Sequence, residues 1–265
     1  MWRLGNRRRY WELSSDLANL ATDNMESWPV AFSAEPKHLI VDLNRSALVI
    51  IDMQNDFCAD RGWLAQVGGD VTKTRAPVPY INRTLPVLRE QGVPVIWVNW
   101  GNRADLANIS PAVRHVYKAE ATGTGLGDVL PGTSSRVLEK GSWGASLVEG
   151  LIVADGDIWV DKYRMSGFWD TPLDSILRNL GVTTIFFAGV NLDQCVMATL
   201  QDASFLGYNC VLMKDLCATS SPDFCTEATL YNVKQCYGFV AESESLISGI
   251  KESQDKRGMS RVFMD

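Results

Sequence analysis

Histidine is scarce in this sequence, with only His38 and His115 among 265 residues. Neither has a second histidine or a cysteine at the spacing that metal sites use. The sequence therefore argues against a histidine-built metal site and against a Ser-His-Asp triad.

Long apolar runs and an excess of basic residues are also missing. No stretch approaches the roughly 20 apolar residues of a membrane-spanning helix, and residues 1–17 lack the apolar segment of a secretory signal. The 25 Lys and Arg against 31 Asp and Glu give a net charge of −6, which argues against nucleic-acid binding. We expect a cytoplasmic protein with no nucleic-acid and no membrane partner.

Cysteine pairs at metal-ligand spacing are absent as well. The 6 cysteines include no Cys-x-x-Cys, so the sequence predicts neither a zinc ribbon nor a disulfide scaffold. Most of these residues are expected to be buried thiols in a reducing compartment. The hydrophobic content of 46% is that of an ordinary globular protein with a substantial core.

Three segments are predicted along the chain. Residues 1–45 mix Trp, Arg, Ser and Asp without periodicity and are interpreted as an N-terminal arm. Residues 46–250 form the main domain, and residues 251–265 form a C-terminal tail. The arm is expected to wrap the body or a neighbouring subunit.

The main domain alternates between apolar runs typical of buried strands and helical patterns. This alternation predicts an α/β fold with a mostly parallel six-stranded sheet and helices on both faces. The predicted strands are 46–52, 93–100, 157–162, 183–190, 208–215 and 237–243, and the predicted helices are 76–92, 171–181, 194–207 and 221–236.

Three chemical groups follow the ends of predicted strands. Asp52 ends the first strand, Lys162 ends the third, and the fourth leads through a short loop to Cys195 at a helix start. In parallel sheets ligands bind beyond the carboxyl ends of the strands, so these groups are expected to meet. A helix start and a nearby ammonium lower a thiol's pKa, and Asp52 is the candidate general acid-base for a Cys195 nucleophile.

Each of these residues also has a purely structural interpretation. A cysteine in an α/β core is usually a packed small hydrophobe, an aspartate after a strand is often a turn cap, and a lone lysine is usually solvated. The coincidence of all three groups at strand ends favours catalysis.

Three sequence blocks surround the candidate residues, namely ALVIIDMQNDF (47–57), DKYRMSGFWDTPLDSILRNLGV (161–182) and FAGVNLDQCVMATLQDASFLGY (187–208). They resemble the cysteine-hydrolase branch of the isochorismatase-like superfamily. The resemblance implies a Rossmann-like three-layer sandwich and a catalytic triad of Asp52, Lys162 and Cys195. It also implies a cis peptide bond between Val190 and Asn191, and an oxyanion hole made by the backbone N–H groups of Asn191 and Cys195. Leu192 stands where many relatives have Thr.

The resemblance also narrows the expected activity. Isochorismate hydrolases lack the nucleophilic cysteine, and the metal-binding histidines of nicotinamidases have no counterpart in VNWGNRADLANIS (98–110), so we expect no metal and no cofactor. KGSWGASLV (140–148) and YRMSGFWDTPLDSILR (163–178) are similar to ureidoacrylate amidohydrolases. NRADLANIS (102–110) and DMQNDFC (52–58) are similar to biuret hydrolases. The expected reaction is cleavage of a C–N bond in a small linear amide, ureido or carbamoyl compound through an acyl-cysteine intermediate.

Other functions are compatible with the same residues. The chain is alternatively an N-carbamoyl amino acid amidohydrolase, a nicotinamidase-like enzyme, or a non-catalytic thiol-redox or binding protein on this fold. Arg103 or Arg164 would favour an acidic substrate if either bound a carboxylate bidentately. A homo-oligomer, dimer or tetramer, is expected.

Aromatic and polar residues that follow the strand ends are the candidate substrate-binding residues, since small-molecule pockets combine apolar walls with a few fixed polar groups. Trp63 and Trp169 also follow strand ends, but any single tryptophan is as readily a core or subunit-contact residue. The predicted substrate-binding set is Phe57, Trp100, Asn102, Tyr163 and Phe168.

Overall fold

The computed structural model describes residues 1–21, 25–118 and 120–262. The strands are β1 (Trp2–Gly5), β2 (Tyr10–Leu13), β3 (Ala18–Asn19), β4 (Pro29–Phe32), β5 (Ala34–Glu35), β6 (Leu39–Asp42), β7 (Ser46–Ile51), β8 (Val95–Trp100), β9 (Ile158–Lys162), β10 (Thr184–Gly189), β11 (Asn209–Cys217) and β12 (Phe239–Ala241).

The main sheet has seven strands in the order β5-β12-β11-β10-β7-β8-β9. The six predicted strands are all present and pair in parallel. The prediction of six strands misses the two-residue β5, which pairs antiparallel with β12. Two residues carry no periodicity, so the N-terminal arm gave no signal for this edge strand.

The central strands are buried on both faces, as their continuous apolar sequences predict. Every residue of β7, β8 and β10 is buried. Leu48 and Trp97 pack into the core on one face, whereas Val49 and Phe187 pack into the core on the other. Alternating side chains of the same strands therefore fill two separate cores, which gives the three-layer arrangement.

The helices are distributed over both faces of the sheet. α4 and α9 add side chains to one core, and α6 and α7 add side chains to the other. The helix predicted over 194–207 begins with a π-type turn over Leu192–Val196. The helices are α1 (Asn55–Cys58), α2 (Trp63–Gln66), α3 (Val71–Arg75), α4 (Val78–Glu90), α5 (Pro111–Tyr117), α6 (Leu173–Asn179), α7 (Met197–Phe205), α8 (Asp223–Asn232) and α9 (Ser243–Val262).

Both ends of the chain pack on the main domain. β4 pairs with β6 and lies against α9. α9 continues past the predicted boundary at residue 250, and residues 263–265 of the predicted tail lie outside the described residues. Within the described ranges, no helix combines the length and the apolar character needed to cross a bilayer.

A turn at residues 6–9 attaches the N-terminal arm to the body. All four side chains donate to main-chain carbonyls, and two of the acceptors, Gly92 and Asn179, lie at the C-terminal ends of α4 and α6, where carbonyls lack helical partners. The basic run in the N-terminal sequence therefore serves as an anchor. The donations are Asn6 to Asn179, Arg7 to Gly92, Arg8 to Ser46 and Arg9 to Arg178, at 2.8 to 3.4 Å.

The double variant Arg7→Met/Arg9→Met should loosen the arm without unfolding the body. Each hydrogen bond contributes about 0.5–1.5 kcal/mol, so amide hydrogen exchange in β1 and β2 should speed up about 10-fold. Exchange in β7 and β10 should stay unchanged. Arg83→Met, which removes an exposed ion pair of the body, is the control, and unchanged exchange in β1 and β2 would contradict the anchoring role.

Candidate active site

Asp52, Lys162 and Cys195 come together at the carboxyl edge of the sheet. Asp52 directly follows β7, and Lys162 is the last residue of β9. The Lys162 Nζ lies 2.8 Å from the Asp52 Oδ2, and both side chains are 0–1% exposed. Cys195, in the turn between β10 and α7, is 3% exposed, and its thiol lies close enough to both groups for the three to shift one another's pKa.

The carboxylate of Asp52 is held by the neighbouring strand. Asp52 has a φ of 51°, a left-handed conformation that is uncommon for residues other than glycine and tends to occur at functional sites. Its Oδ1 accepts a hydrogen bond from the Trp100 backbone N–H at 3.0 Å. Gln54 accepts from the same N–H and donates to the Trp100 carbonyl. The conformation and these contacts fix the carboxylate toward Lys162.

The ammonium of Lys162 has three neighbours that fix its position. Besides Asp52, it donates to the Arg164 carbonyl at 3.0 Å. It also lies 4.4 Å from the centre of the Trp100 ring, a cation–π contact. The buried charge is thus balanced by a carboxylate, a carbonyl and an aromatic face.

The backbone around Cys195 is tied to the segment that follows Lys162. The Thr199 hydroxyl donates to the Cys195 carbonyl at 2.6 Å and accepts from the Gly167 N–H at 3.0 Å. The Cys195 Sγ lies 3.6 Å from the Met165 Sδ. Two of the three strand ends that supply the site are therefore linked through one buried threonine.

Burial dominates the protonation of the site. It raises the pKa of the Cys195 thiol to about 12; Lys162 opposes the shift and Asp52 adds to it. Burial also raises the pKa of Asp52, with Lys162 opposing. Burial alone would lower the pKa of Lys162, but the charges of Asp52 and Cys195 outweigh it and raise that pKa. The expected lowering of the thiol pKa is therefore wrong for the resting site, because desolvation exceeds the effects of helix start and ammonium.

The loop before Cys195 contains a cis peptide bond between Val190 and Asn191. The Asn191 side chain accepts from the Ser220 N–H at 3.2 Å, while its own backbone N–H has no acceptor among the residues that the structure describes. Leu192 packs into the core at 2% exposure. Leu192 cannot make the side-chain hydrogen bond that a Thr at this position could make. The next residue, Asp193, accepts a hydrogen bond from the Thr219 hydroxyl at 2.6 Å and ties the loop to the segment after β11.

The predicted substrate-binding residues occupy different surroundings. Phe57 lies edge-on to Trp63, and Trp100 lies under the Lys162 ammonium. Asn102 is fully buried, and its Oδ1 has no donor within the described parts of the chain. Phe57 and Trp100 belong to one hydrophobic core, and Trp63 packs against it.

Tyr163 and Phe168 are engaged elsewhere. The Tyr163 hydroxyl donates to the Asp170 carbonyl at 3.1 Å. Phe168 is half-buried, with its ring 6.0 Å from the ring of Tyr208 in the core on the opposite face of the sheet.

The two candidate carboxylate-binding arginines are paired within the protein. Arg103 binds the carboxylate of Asp105 through Nε and Nη2, at 2.9 and 2.7 Å. Arg164 donates to the Asn108 carbonyl at 2.8 Å and forms an ion pair with Asp170 at 3.3 Å. Neither guanidinium is free to receive a substrate carboxylate in this conformation.

Tyr117 is a site residue that the sequence analysis missed. Its ring lies 5.0 Å from the rings of both Trp63 and Trp100. It ends α5, a helix that the sequence analysis did not predict. Ser110 followed by Pro111 is a helix-start signal that would have located α5, but nothing in the sequence placed Tyr117 beside Trp100.

No group of three or more His, Cys, Asp or Glu side chains able to hold a metal ion occurs among the described residues. The chemistry available at this edge of the sheet is that of a thiol, a carboxylate and an ammonium. These groups suit nucleophilic catalysis at a carbonyl.

Comparison with known proteins identifies the family. The model of the Isochorismatase domain matches residues 46–245. The chain belongs to the isochorismatase family. Its members are hydrolases, amidases among them. The family match covers the whole main sheet except β5, together with Asp52, Lys162 and Cys195.

Solved structures of isochorismatase-family proteins share this fold. A cysteine hydrolase from Pseudomonas syringae pv. phaseolicola 1448A is 24% identical, with a TM-score of 0.68 over 80% of this chain and 95% of that one. A family protein from Desulfovibrio vulgaris subsp. vulgaris str. Hildenborough is 28% identical, with a TM-score of 0.62 over 76% and 96%. N-carbamoylsarcosine amidase from Thermoplasma acidophilum is 24% identical, with a TM-score of 0.56 over 75% and 96%.

Cys195 should be a protonated thiol in the resting protein at neutral pH. Because burial raises its pKa to about 12, the thiolate absorbance of the wild type should match that of Cys195→Ser at neutral pH. The difference should emerge only under strongly alkaline conditions. A difference spectrum that titrates near neutrality would show that Lys162 and the helix start outweigh burial.

Proposed function

We propose that this isochorismatase-family chain is a cysteine-dependent amidohydrolase. It cleaves a C–N bond of a small linear amide, ureido or carbamoyl compound through an acyl-cysteine intermediate. The observation that carries the proposal is the buried Asp52–Lys162 ion pair, with the buried Cys195 thiol beside it at the same edge of the sheet. A nucleophile, a base and a fixed positive charge are thereby held together away from water.

In the first half-reaction the Asp52 carboxylate takes the proton of the thiol as sulfur bonds to the substrate carbonyl carbon. The raised pKa of Asp52 makes it a stronger base than an ordinary carboxylate. The carbonyl electron pair moves to oxygen, and the N–H groups of Asn191 and Cys195 stabilise the oxyanion. The C–N bond then breaks, and Asp52 gives its proton to the leaving nitrogen.

In the second half-reaction water hydrolyses the thioester. Asp52 takes a proton from the attacking water, and a second tetrahedral intermediate forms at the same carbon. The C–S bond breaks, and the thiolate recovers its proton from Asp52. Lys162 stays charged throughout and compensates the negative charge, which moves between carboxylate and sulfur.

Proteins of similar structure support the proposed substrate class. Two of them are a cysteine hydrolase and an N-carbamoylsarcosine amidase. Arg103 and Arg164 each pair with an aspartate of the protein, Asp105 and Asp170 respectively, and this weighs against an anionic substrate. We therefore propose a neutral carbamoyl or ureido compound of the biuret type rather than an acid such as ureidoacrylate.

The alternative of a thiol-redox sensor is less well supported by the same geometry. Sensor cysteines combine exposure with a low pKa. Cys195 is 3% exposed, and burial raises its pKa. A buried thiol that loses its proton only to an adjacent carboxylate fits nucleophilic catalysis better.

Ammonia release from a panel of small amides tests the proposed function. The panel contains biuret, ureidoacrylate, N-carbamoyl amino acids and nicotinamide. One carbamoyl or ureido compound should be turned over, and Cys195→Ala and Asp52→Asn should each lower kcat by about 10³-fold or more. Cys210→Ala is the control, since this buried thiol lies near the start of β11, at the amino edge of the sheet opposite the proposed triad. Full activity in Cys195→Ala would refute covalent catalysis.

The pH profile tests the role of Asp52 as base. Asp52 must be ionised to accept the thiol proton, and its pKa is raised, so the acidic limb of kcat/KM should lie above the range of an ordinary aspartate. Lys162→Met removes the opposing charge, so the limb should move further toward alkaline pH while kcat falls about 100-fold or more. A limb that moves toward acid in Lys162→Met would contradict this assignment.

A further inference from the structure

The short helix α5 brings a single side chain into the protein interior. Tyr117 is the only residue of α5 that is buried. Val116, which precedes it, is 63% exposed. The helix is therefore held by the Tyr117 ring, which packs against Trp63 and Trp100, and by the partly buried Val113.

The Tyr117 ring lies one aromatic ring away from the catalytic ammonium. Trp100 contacts the Lys162 Nζ at 4.4 Å from its ring centre, and its ring lies 5.0 Å from that of Tyr117. The negative charges of Cys195 and Asp52 add to the effect of burial in raising the pKa of Tyr117. The hydroxyl therefore keeps its proton at any physiological pH and acts as a hydrogen-bond donor.

None of the described residues uses this donor. The Tyr117 hydroxyl has no hydrogen-bond partner among residues 1–21, 25–118 and 120–262. Phenylalanine would pack between the two tryptophans equally well, so packing does not account for the hydroxyl, whose oxygen keeps a little accessible surface although the residue is only 7% exposed. The Trp100 indole N–H and the Asn102 Oδ1 are fully buried and have no partner among the described residues. Unpaired polar groups beside catalytic residues are what a substrate-binding pocket contains before its ligand arrives.

We propose that Tyr117 is a specificity-determining residue that donates a hydrogen bond to a second carbonyl of the substrate, beyond the scissile one. The inference rests on the proposed function, because the first carbonyl is assigned to the N–H groups of Asn191 and Cys195. The chemical class selected is a compound with two carbonyls joined through nitrogen, such as biuret. A simple monoamide leaves the Tyr117 hydroxyl unpaired and is disfavoured.

Kinetics of Tyr117→Phe with two matched substrates test this role. Biuret carries the second carbonyl, and propionamide does not. For biuret, kcat/KM should fall about 10-fold or more, mainly through KM, as expected for loss of one buried hydrogen bond. For propionamide, the change should stay within about 2-fold. Tyr208→Phe is the control, since its hydroxyl pairs with Asp174, and it should leave the ratio of the two substrates unchanged.

Equal losses for both substrates, or no loss for either, would overturn the assignment. Calorimetric binding to Cys195→Ala provides a second test that keeps Tyr117 in place and needs no turnover. The affinity for biuret should be at least about 10-fold higher than the affinity for propionamide. Equal affinities would refute the role of the hydroxyl. If the wild type hydrolyses no amide while this difference in affinity is observed, the proposed reaction fails and the Tyr117 subsite stands.

Discussion

The buried ion pair between Asp52 and Lys162 is the interaction on which the rest of the site depends. Two charges removed from water carry a desolvation cost that their mutual attraction repays only with good geometry and further hydrogen bonds. Here the 2.8 Å contact is supplemented by the Trp100 N–H on the carboxylate, and by the Arg164 carbonyl and the Trp100 ring around the ammonium. Apolar residues could fill the same space, so the ion pair is best explained by the charges that it supplies to the site.

The pair also decides how the thiol works. Desolvation keeps Cys195 protonated, so in the proposed reaction its nucleophilicity depends on transfer of its proton to Asp52 at the moment of attack. In that reaction Lys162 assists the transfer, because the ammonium stabilises negative charge on either oxygen or sulfur.

Particular residues show where sequence reasoning succeeded and where it failed. The six parallel strands were predictable because strands buried on both faces have continuous apolar sequences. Strand ends then located Asp52, Lys162 and Cys195, since parallel strands bring their carboxyl ends to one edge. The two-residue β5 and the position of Tyr117 were not predictable, because neither has a periodic pattern and both depend on contacts distant in sequence.

The sequence by itself determined the alternation of strands and helices, the family, and the three chemical groups at the strand ends. These features follow from local hydrophobic patterns and from residue identity. Only the tertiary structure decided the direction of the pKa shift of the Cys195 thiol, the ion pairs that Arg103 and Arg164 form with aspartates, and the unpaired hydroxyl of Tyr117. Each of these depends on burial and on neighbours brought from distant segments, and electrostatic free energies are set by that three-dimensional environment.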